Sequence, residues 1–233
     1  MIPPVVREHA GIMVVRDDLH PGGTKARFIG QLFEGADEVV YASPVQGGAQ
    51  YALAHCAAAL GKRATIFCAK RAIPHPRQLQ AKALGAKVLR VEPGYLTVVQ
   101  ARARAYCEAT GARLAPFGVD TPEALEAIAA AARATGLQPA EVWCAAGSGV
   151  LARGLAKAWP DARRHVVQVG RKLEQGEVAG AKIHPWPKGF ETEGPAAPFP
   201  ADPHYDAKGW AICSAQHGEG PVVFWNVTGP AQA

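Results

Sequence analysis

The sequence predicts an α/β fold in which parallel sheets are flanked by helices on both faces. Short apolar runs, typical of buried strands, are each separated from the next by a segment of helical composition. Strands that alternate with helices form parallel sheets, because each helix carries the chain back to the start of the next strand. The predicted strands cover residues 12–16, 38–42, 64–69, 87–91, 141–145, 165–169 and 222–226.

Helices are predicted between these strands, and glycines mark where four of them end. A glycine just after a helix can take the left-handed conformation that ends it. The glycines at such positions are Gly61, Gly85, Gly111 and Gly136. The predicted helices cover residues 49–60, 76–84, 97–110, 122–135 and 151–158. The alternation stops between Gly170 and Pro203, where clustered prolines indicate a long irregular segment.

The composition is that of a globular protein. The chain has 233 residues, of which 48% are hydrophobic and 19% charged, enough for one core or two smaller lobes. No apolar run approaches 18 residues, and the N-terminus lacks a basic segment followed by an apolar one. We therefore expect a cytoplasmic protein with no membrane association.

Charge and cysteine content leave several kinds of partner open. The net charge of +5 permits anionic partners such as DNA, although the basic residues do not form one block. The cysteines are isolated and mostly lie in apolar runs, which favours buried thiols over disulfides or zinc ligands. They are Cys56, Cys68, Cys107, Cys144 and Cys213. No residues show the spacing of a metal site, so we expect none.

One lysine follows a Pro-Gly-Gly turn at the predicted start of a helix. Residues 21–23 form the turn, and Thr24 is predicted to cap the helix. A helix N-terminus disfavours an ammonium ion, so it would lower the pKa of Lys25 and help the neutral amine attack a carbonyl. The alternative is a solvated lysine beside a loop.

A second site is predicted where the strand at 141–145 leads into the next helix through Gly147, Ser148 and Gly149. The glycines let backbone N–H groups converge, and the helix N-terminus adds positive potential, which together favour a phosphate. The alternative is a tight connection without a ligand. The segment lacks both a Walker A lysine and a full Gly-x-Gly-x-x-Gly, which disfavours nucleotide triphosphates and dinucleotides.

Together these motifs resemble the fold type II family of pyridoxal phosphate enzymes, particularly the branch of aminocyclopropane-carboxylate deaminase and D-cysteine desulfhydrase. Residues 16–27 resemble the family's Arg-Asp-Asp-x-x-x-Gly-Gly-x-Lys-x-Arg segment. The resemblance implies that Lys25 forms a Schiff base with pyridoxal 5'-phosphate and moves a proton at the substrate carbon. It also implies that Gly147, Ser148 and Gly149 bind the cofactor phosphate.

Two segments near the C-terminus extend the resemblance. Thr228, after an apolar strand, resembles the threonine whose hydroxyl faces the pyridine nitrogen in the family. A hydroxyl there would leave that nitrogen mostly unprotonated, so the electron sink would be weaker than with an aspartate. Tyr205 lies in a segment, 202–208, that resembles the family's Asp-Pro-x-Tyr-x-x-Lys, and it is expected to contact substrate or to start a helix.

The loop after the strand at 38–42 departs from the family pattern. The family reads Gln-Ser-Asn-His where this chain has Gln46, Gly47, Gly48 and Ala49. The N–H groups of Gly47 and Gly48 are predicted to bind a substrate carboxylate, and Gln46 to reach the cofactor ring. The alternative is a flexible turn. The two missing side chains argue against the deaminase activity itself and favour a larger or differently shaped substrate.

The resemblance implies two domains and a homodimer. Residues 1–35 and 118–233 would form a large cofactor-binding domain, and residues 36–117 a small α/β domain. We expect lyase-type chemistry on an amino-acid-like substrate, by elimination, deamination or decarboxylation. Two alternatives stay open. One is an enzyme acting on an amino-acid-modified pyrimidine in DNA, as in bacteriophage base hypermodification, and the other is a non-catalytic module that binds the cofactor.

Overall fold

The computed structural model describes residues 2–92 and 94–231. Its helices are α1 (Ala26–Ile29), α2 (Ala49–Leu60), α3 (Pro76–Ala83), α4 (Leu96–Thr110), α5 (Pro122–Ala134), α6 (Val150–Ala158) and α7 (Asp206–Gln216). Its strands are β1 (Val6–His9), β2 (Ile12–Arg16), β3 (Glu38–Ser43), β4 (Arg63–Ala69), β5 (Lys87–Val91), β6 (Arg113–Leu114), β7 (Glu141–Ala146), β8 (Arg163–Gln168), β9 (Lys182–Pro185) and β10 (Val222–Asn226). Within these residues, every helix is too short or too polar to cross a membrane.

The chain forms two compact units. The first unit combines the chain up to Arg27 with Asp120–Pro230, and the second is built mainly of Phe28–Val119. Each unit contains one sheet. The first unit has a six-stranded sheet in the order β1-β2-β10-β7-β8-β9, and the second has a four-stranded sheet in the order β5-β4-β3-β6.

The sheet of the first unit is parallel except at one edge, where β1 pairs with β2 in the antiparallel sense. Its core lies between the sheet and α7, where Trp143 and Phe224 from the strands meet Trp210 of the helix. On α6, Gly154 allows a close helix contact, since a Cβ there would lie 2.5 Å from a methyl carbon of Ile128 on α5. The central strands β7 and β10 are thereby buried along their whole length.

The second unit has a fully parallel sheet. Helix α4 packs on it through Val99 and Ala103, which meet Val40 and Phe67 of the strands. The alanine-rich helix α2 contacts β3, β4 and α3. Small side chains let a helix approach a sheet closely, so the alanines of α2 serve packing.

The predicted fold class is confirmed, since both sheets are essentially parallel and flanked by helices. Every predicted strand is present with ends within two residues of the prediction, and so are the helices at 49–60, 76–84, 97–110, 122–135 and 151–158. Gly61 and Gly111 take the left-handed conformation at the ends of α2 and α4, as expected.

The predicted irregular segment from Gly170 to Pro203 needs correction. It contains a short 3₁₀ turn at Gln175–Val178 and the edge strand β9. Helix α7 is also absent from the predicted helices. It contains Gly209, where a Cβ would lie 3.1 Å from the Phe224 ring, so this glycine serves close packing although it lowers helix propensity.

Candidate active site

The loop that carries Lys25 is fastened to the end of β10. The chain leaves β2 at Arg16, makes a 3₁₀ turn, and then passes through Gly22 and Gly23, both with positive φ. A Cβ at Gly23 would lie 2.4 Å from the Val227 carbonyl oxygen. The next residue, Thr24, donates its N–H to that same oxygen at 3.1 Å. Only glycine allows the loop to approach β10 this closely.

The Thr24 side chain does not cap a helix as predicted. Its hydroxyl donates to Asp17 Oδ2 at 2.8 Å and accepts from Trp225 Nε1 at 2.9 Å. The regular α-helix that follows, α1, has only four residues and continues as a 3₁₀ turn. A strong N-terminal dipole at Lys25 is therefore absent, which corrects the cause predicted for its lowered pKa.

Lys25 is partly exposed as a residue, but protein surrounds its amine closely enough that burial lowers its pKa. The carboxylate of Asp206 acts in the opposite direction and raises the pKa of the amine. Burial is the larger of the two effects. A lysine in such surroundings has a larger neutral fraction at neutral pH and is a better nucleophile.

Asp206 is a functional candidate that sequence reasoning missed. It lies at the start of α7, fully buried, and its Oδ2 accepts the N–H of Thr228 at 3.2 Å. Within the described residues its Oδ1 has no hydrogen-bond partner. Burial, with the nearby charge of Asp202, raises the pKa of Asp206 well above its usual value. A buried carboxyl oxygen without a partner is costly unless a ligand supplies one.

The predicted phosphate loop connects β7 to α6. At Gly149 φ is +82°, and a Cβ there would lie 2.0 Å from the Glu177 carbonyl oxygen, so no other residue fits. The first amides of α6 have no acceptor within the helix. The neighbouring Ser148 is partly exposed. The loop therefore presents backbone donors and a hydroxyl, as an anion requires.

The two other predicted residues of the first unit lie next to these elements. At Gly147 a Cβ would lie 3.3 Å from Cε1 of Tyr205, so the tyrosine ring lies against the phosphate loop. The ring of Phe190 supports Tyr205 from another side at 5.3 Å between centroids. Thr228 is partly exposed and holds Asp206 through its N–H, while its hydroxyl makes a long 3.5 Å contact with the Gly229 carbonyl.

The glycine loop of the second unit is held by its own contacts. The N–H of Gly47 donates to the Pro44 carbonyl at 3.0 Å, so it is already engaged. A Cβ at Gly47 would lie 2.7 Å from Ser43 Oγ, which means that this glycine meets a local packing requirement. Gln50 fastens the loop by donating to the carbonyls of Pro44 and Val45 at 2.9 and 2.8 Å.

These contacts change the interpretation of the glycine loop. The absent side chain at Gly47 leaves no added space there, because Ser43 fills it. The predicted contact from the Gly47 N–H to a substrate carboxylate would require this turn to open. The predicted contacts of Gly48, which begins α2, and of Gln46, which is partly exposed, stay predictions.

A buried lysine amine, a buried acid and a glycine-rich phosphate loop in one unit define the class of a cofactor-dependent enzyme. The family model described as "Pyridoxal-phosphate dependent enzyme" matches residues 4–208. The chain belongs to this family, and its cofactor is pyridoxal 5'-phosphate. A search of the curated proteins found no match.

Several solved structures share the fold. An aminocyclopropane-carboxylate (ACC) deaminase homologue has a TM-score of 0.84 at 17% identity, with 98% of this chain and 90% of that chain covered. Threonine deaminase of T.th. has a TM-score of 0.72 at 17% identity, covering 97% and 92%. Diaminopropionate ammonia lyase of Escherichia coli has a TM-score of 0.69 at 15% identity, covering 94% and 77%.

The site fits the chemical groups of pyridoxal 5'-phosphate. The cofactor has an aldehyde, a phosphate and a basic ring nitrogen. The first unit offers an amine of lowered pKa at Lys25, backbone donors at 147–149 and an acceptor without a partner at Asp206 Oδ1. Within the described residues, no group of three or more His, Cys, Asp or Glu side chains could hold a metal.

Proposed function

We propose that this chain is a lyase-type enzyme that acts on an amino-acid-like substrate by elimination, deamination or decarboxylation. One observation carries the proposal: the Lys25 amine, with its pKa lowered by burial, lies within electrostatic reach of the buried Asp206. Amine and acid both belong to the first unit, which also holds the glycine loop at 147–149. Their chemistry matches the two ends of the family's cofactor.

Lys25 has two proposed roles. Its amine binds the cofactor aldehyde covalently, and after the substrate amine takes its place it moves a proton at the substrate α-carbon. Both roles need the neutral amine, which burial favours at neutral pH. When bound, the cofactor supplies the electron sink for a carbanion at that carbon.

We assign the contact with the ring nitrogen to Asp206 rather than to Thr228. Asp206 Oδ1 lacks a partner in the described chain, whereas Thr228 uses its N–H to hold the other oxygen of the same carboxyl. A carboxyl group of raised pKa can share its proton with a basic nitrogen. The ring would then be held protonated, which gives a stronger electron sink than the threonine hydroxyl would.

Gly147, Ser148 and Gly149 are proposed to bind the cofactor phosphate, and Tyr205 to contact the cofactor or substrate. The structural neighbours support the reaction class, because two of them are named for the removal of ammonia. At 15 to 17% identity they leave the substrate open.

The test is an absorbance spectrum of the protein with pyridoxal 5'-phosphate, for the wild type, Lys25→Ala and Lys208→Ala. Lys208 is a second buried lysine of the same unit and serves as the matched control. We expect borohydride to fix the cofactor on the Lys25 peptide in the wild type and in Lys208→Ala, and not in Lys25→Ala. Cofactor fixed on another lysine would reject the assignment, and fixation with no amino acid changing the spectrum would favour the non-catalytic module.

The distribution of charge favours a second candidate, an enzyme whose substrate is an amino-acid-modified pyrimidine in DNA. The second unit carries 11 of the 25 lysines and arginines and 5 of the 20 aspartates and glutamates, so its net charge is +6, against −1 for the first unit. Positive charge on one unit suits a phosphate backbone.

Duplex binding at several salt concentrations tests this candidate. Arg102→Glu with Arg104→Glu changes two exposed residues of α4, and Lys172→Glu with Lys188→Glu changes two exposed residues of the first unit. For each lost phosphate contact, the logarithmic slope against salt should fall by about 0.9 in the first pair and stay unchanged in the control pair. Turnover of free amino acids without duplex binding would contradict the candidate.

A further inference from the structure

A continuous chain of hydrogen bonds surrounds the backbone on both sides of Lys25. It starts at Trp225 on β10, passes through the Thr24 hydroxyl and ends on the carboxylate of Asp17. From the other side, Arg27 donates to the same carboxylate, with Nη2 at 2.6 Å from Oδ1 and Nε at 3.0 Å from both oxygens. The residues just before and two after Lys25 are thus tied to one acid.

The members of this chain are almost entirely buried. Thr24 is 2% exposed, Asp17 and Trp225 are 0% exposed, and the Arg27 side chain is 2% exposed. Away from water, removing one partner leaves the next group unsatisfied, so the members depend on one another. A buried ion pair with a planar, two-pronged donor also fixes geometry.

The same loop is tied to the segment that holds Asp206. Thr24 N–H binds the carbonyl of Val227, and the next residue, Thr228, donates to Asp206 Oδ2. Two adjacent residues after β10 therefore hold the lysine loop and the acid in fixed positions relative to each other. This link does not depend on any contact of the Lys25 side chain itself.

We propose that the Trp225–Thr24–Asp17–Arg27 chain is a positioning device that holds the Lys25 amine in its buried location beside Asp206. This inference rests on the proposed function for its catalytic meaning. The four residues act through Lys25 and do not themselves touch the reacting atoms. Loosening the chain lets water reach the amine, and because burial is the larger cause of its lowered pKa, that pKa should rise.

The experiment measures the titration of Lys25 in the apo protein by trace labelling with acetic anhydride between pH 6 and 11, quantified by peptide mass spectrometry. Thr24→Val removes the hydroxyl and keeps the shape, while Thr24→Ser keeps the hydroxyl. We expect the midpoint of Lys25 to rise by about 1 pH unit in Thr24→Val, a tenfold loss of neutral amine near neutral pH. Thr24→Ser should restore the wild-type midpoint, and Lys208 should not change in either variant.

Thr24→Val that melts at lower temperature but leaves the Lys25 midpoint unchanged would overturn the proposal, because the chain would then only stabilise the fold. If Thr24→Val does not fold, Trp225→Phe carries the test, since it removes one donor and keeps an aromatic ring. Its midpoint must also rise, by a smaller amount. The labelling needs no cofactor, so a shifted midpoint in a protein that never binds the cofactor would reject the proposed function alone.

Discussion

The two units differ in what their polar residues do. In the first unit, buried polar groups gather around the lysine loop, and they include Arg16, Asp17, Thr24, Asp206 and Asn226. In the second unit the excess charge lies outside. Its exposed cations are Arg63, Lys70, Arg71, Lys82, Lys87, Arg90, Arg102 and Arg104.

This difference indicates a division of labour within one chain. Buried polar groups are costly, so their concentration around Lys25 points to chemistry in the first unit. The second unit has an ordinary apolar core and a net charge of +6, which suits recognition of an anionic partner or substrate. Matched changes in the two units can test this division.

The largest expected effect is that of Gly149→Ala. The new methyl group would lie 2.0 Å from the Glu177 carbonyl oxygen at a residue with φ of +82°, so the phosphate loop must move. We expect a loss of about 3 kcal/mol in unfolding free energy and a strong loss of cofactor affinity. Urea unfolding of the apo protein and a cofactor titration measure the two effects.

The matched control is Gly61→Ala in the second unit. Gly61 also has a positive φ, +63°, but nothing lies within 4 Å of its Cβ position. The backbone cost alone is about 1 kcal/mol, and cofactor affinity should not change. Equal losses in the two variants would show that the phosphate loop is no more tightly packed than a helix end.

How far the sequence reaches differs between these features. Lys25 and the loop at 147–149 could be singled out because their signals are local: glycines between a strand and a helix. The role of Thr24 could not be predicted, since a threonine before a helix locally favours a cap. Its hydroxyl instead meets Trp225, a residue 201 positions away, and no local pattern encodes that contact.

Asp206 shows the same limit from the other direction. An acid in the first turn of a helix is usually a solvated residue that favours the helix dipole. What makes it unusual is complete burial and a contact with Thr228, both set by the packing of β10 against α7. The Asp-Pro-x-Tyr segment drew attention to its neighbour Tyr205, and only the fold identifies the acid.

A medium effect is expected from removing one buried acid in each unit. Glu141, in the first unit, accepts from Arg163, Trp143 and the Gly218 N–H, and these contacts outweigh burial and lower its pKa to about 2. Its stabilisation is present above pH 4.5, the ordinary value for glutamate, and is lost as the pH falls towards 2. Glu141→Gln should cost about 2 kcal/mol at pH 7, and the difference from wild type should shrink on acidification.

Glu38→Gln is the counterpart in the second unit. Glu38 accepts from the hydroxyls of Thr65 and Tyr106, which lower its pKa, while its cation Arg63 is exposed. We expect a smaller cost of about 1 kcal/mol, again lost as the pH falls below the ordinary glutamate value. Thermal melts from pH 3 to 7 measure both variants, and an effect that grows on acidification in either one would contradict the assigned contacts.

The smallest effect expected is a gain of stability in the apo form of Asp206→Asn. The pKa of Asp206 is raised by burial, so its contribution to folding is fully present below pH 3.8, the ordinary aspartate value, and is lost as the pH rises through the folded value. The charges acting on it include those of Asp202 and Asp18, and it faces the Lys25 amine. Asparagine does not ionise, so the variant should be more stable than the wild type by about 1 kcal/mol at pH 8 and not at pH 4.

The same substitution should weaken the cofactor chemistry, because asparagine cannot share a proton with the ring nitrogen. A variant that gains stability without the cofactor and loses activity with it would place Asp206 among residues kept for function at the expense of folding. Asn226→Asp in the same unit gives a contrast, since it adds a buried acid beside Asp18 and should destabilise the protein at pH 8. If Asp206→Asn instead destabilised the apo protein at pH 8, the carboxylate would be a structural anchor for Thr228, and the ring nitrogen would need another partner.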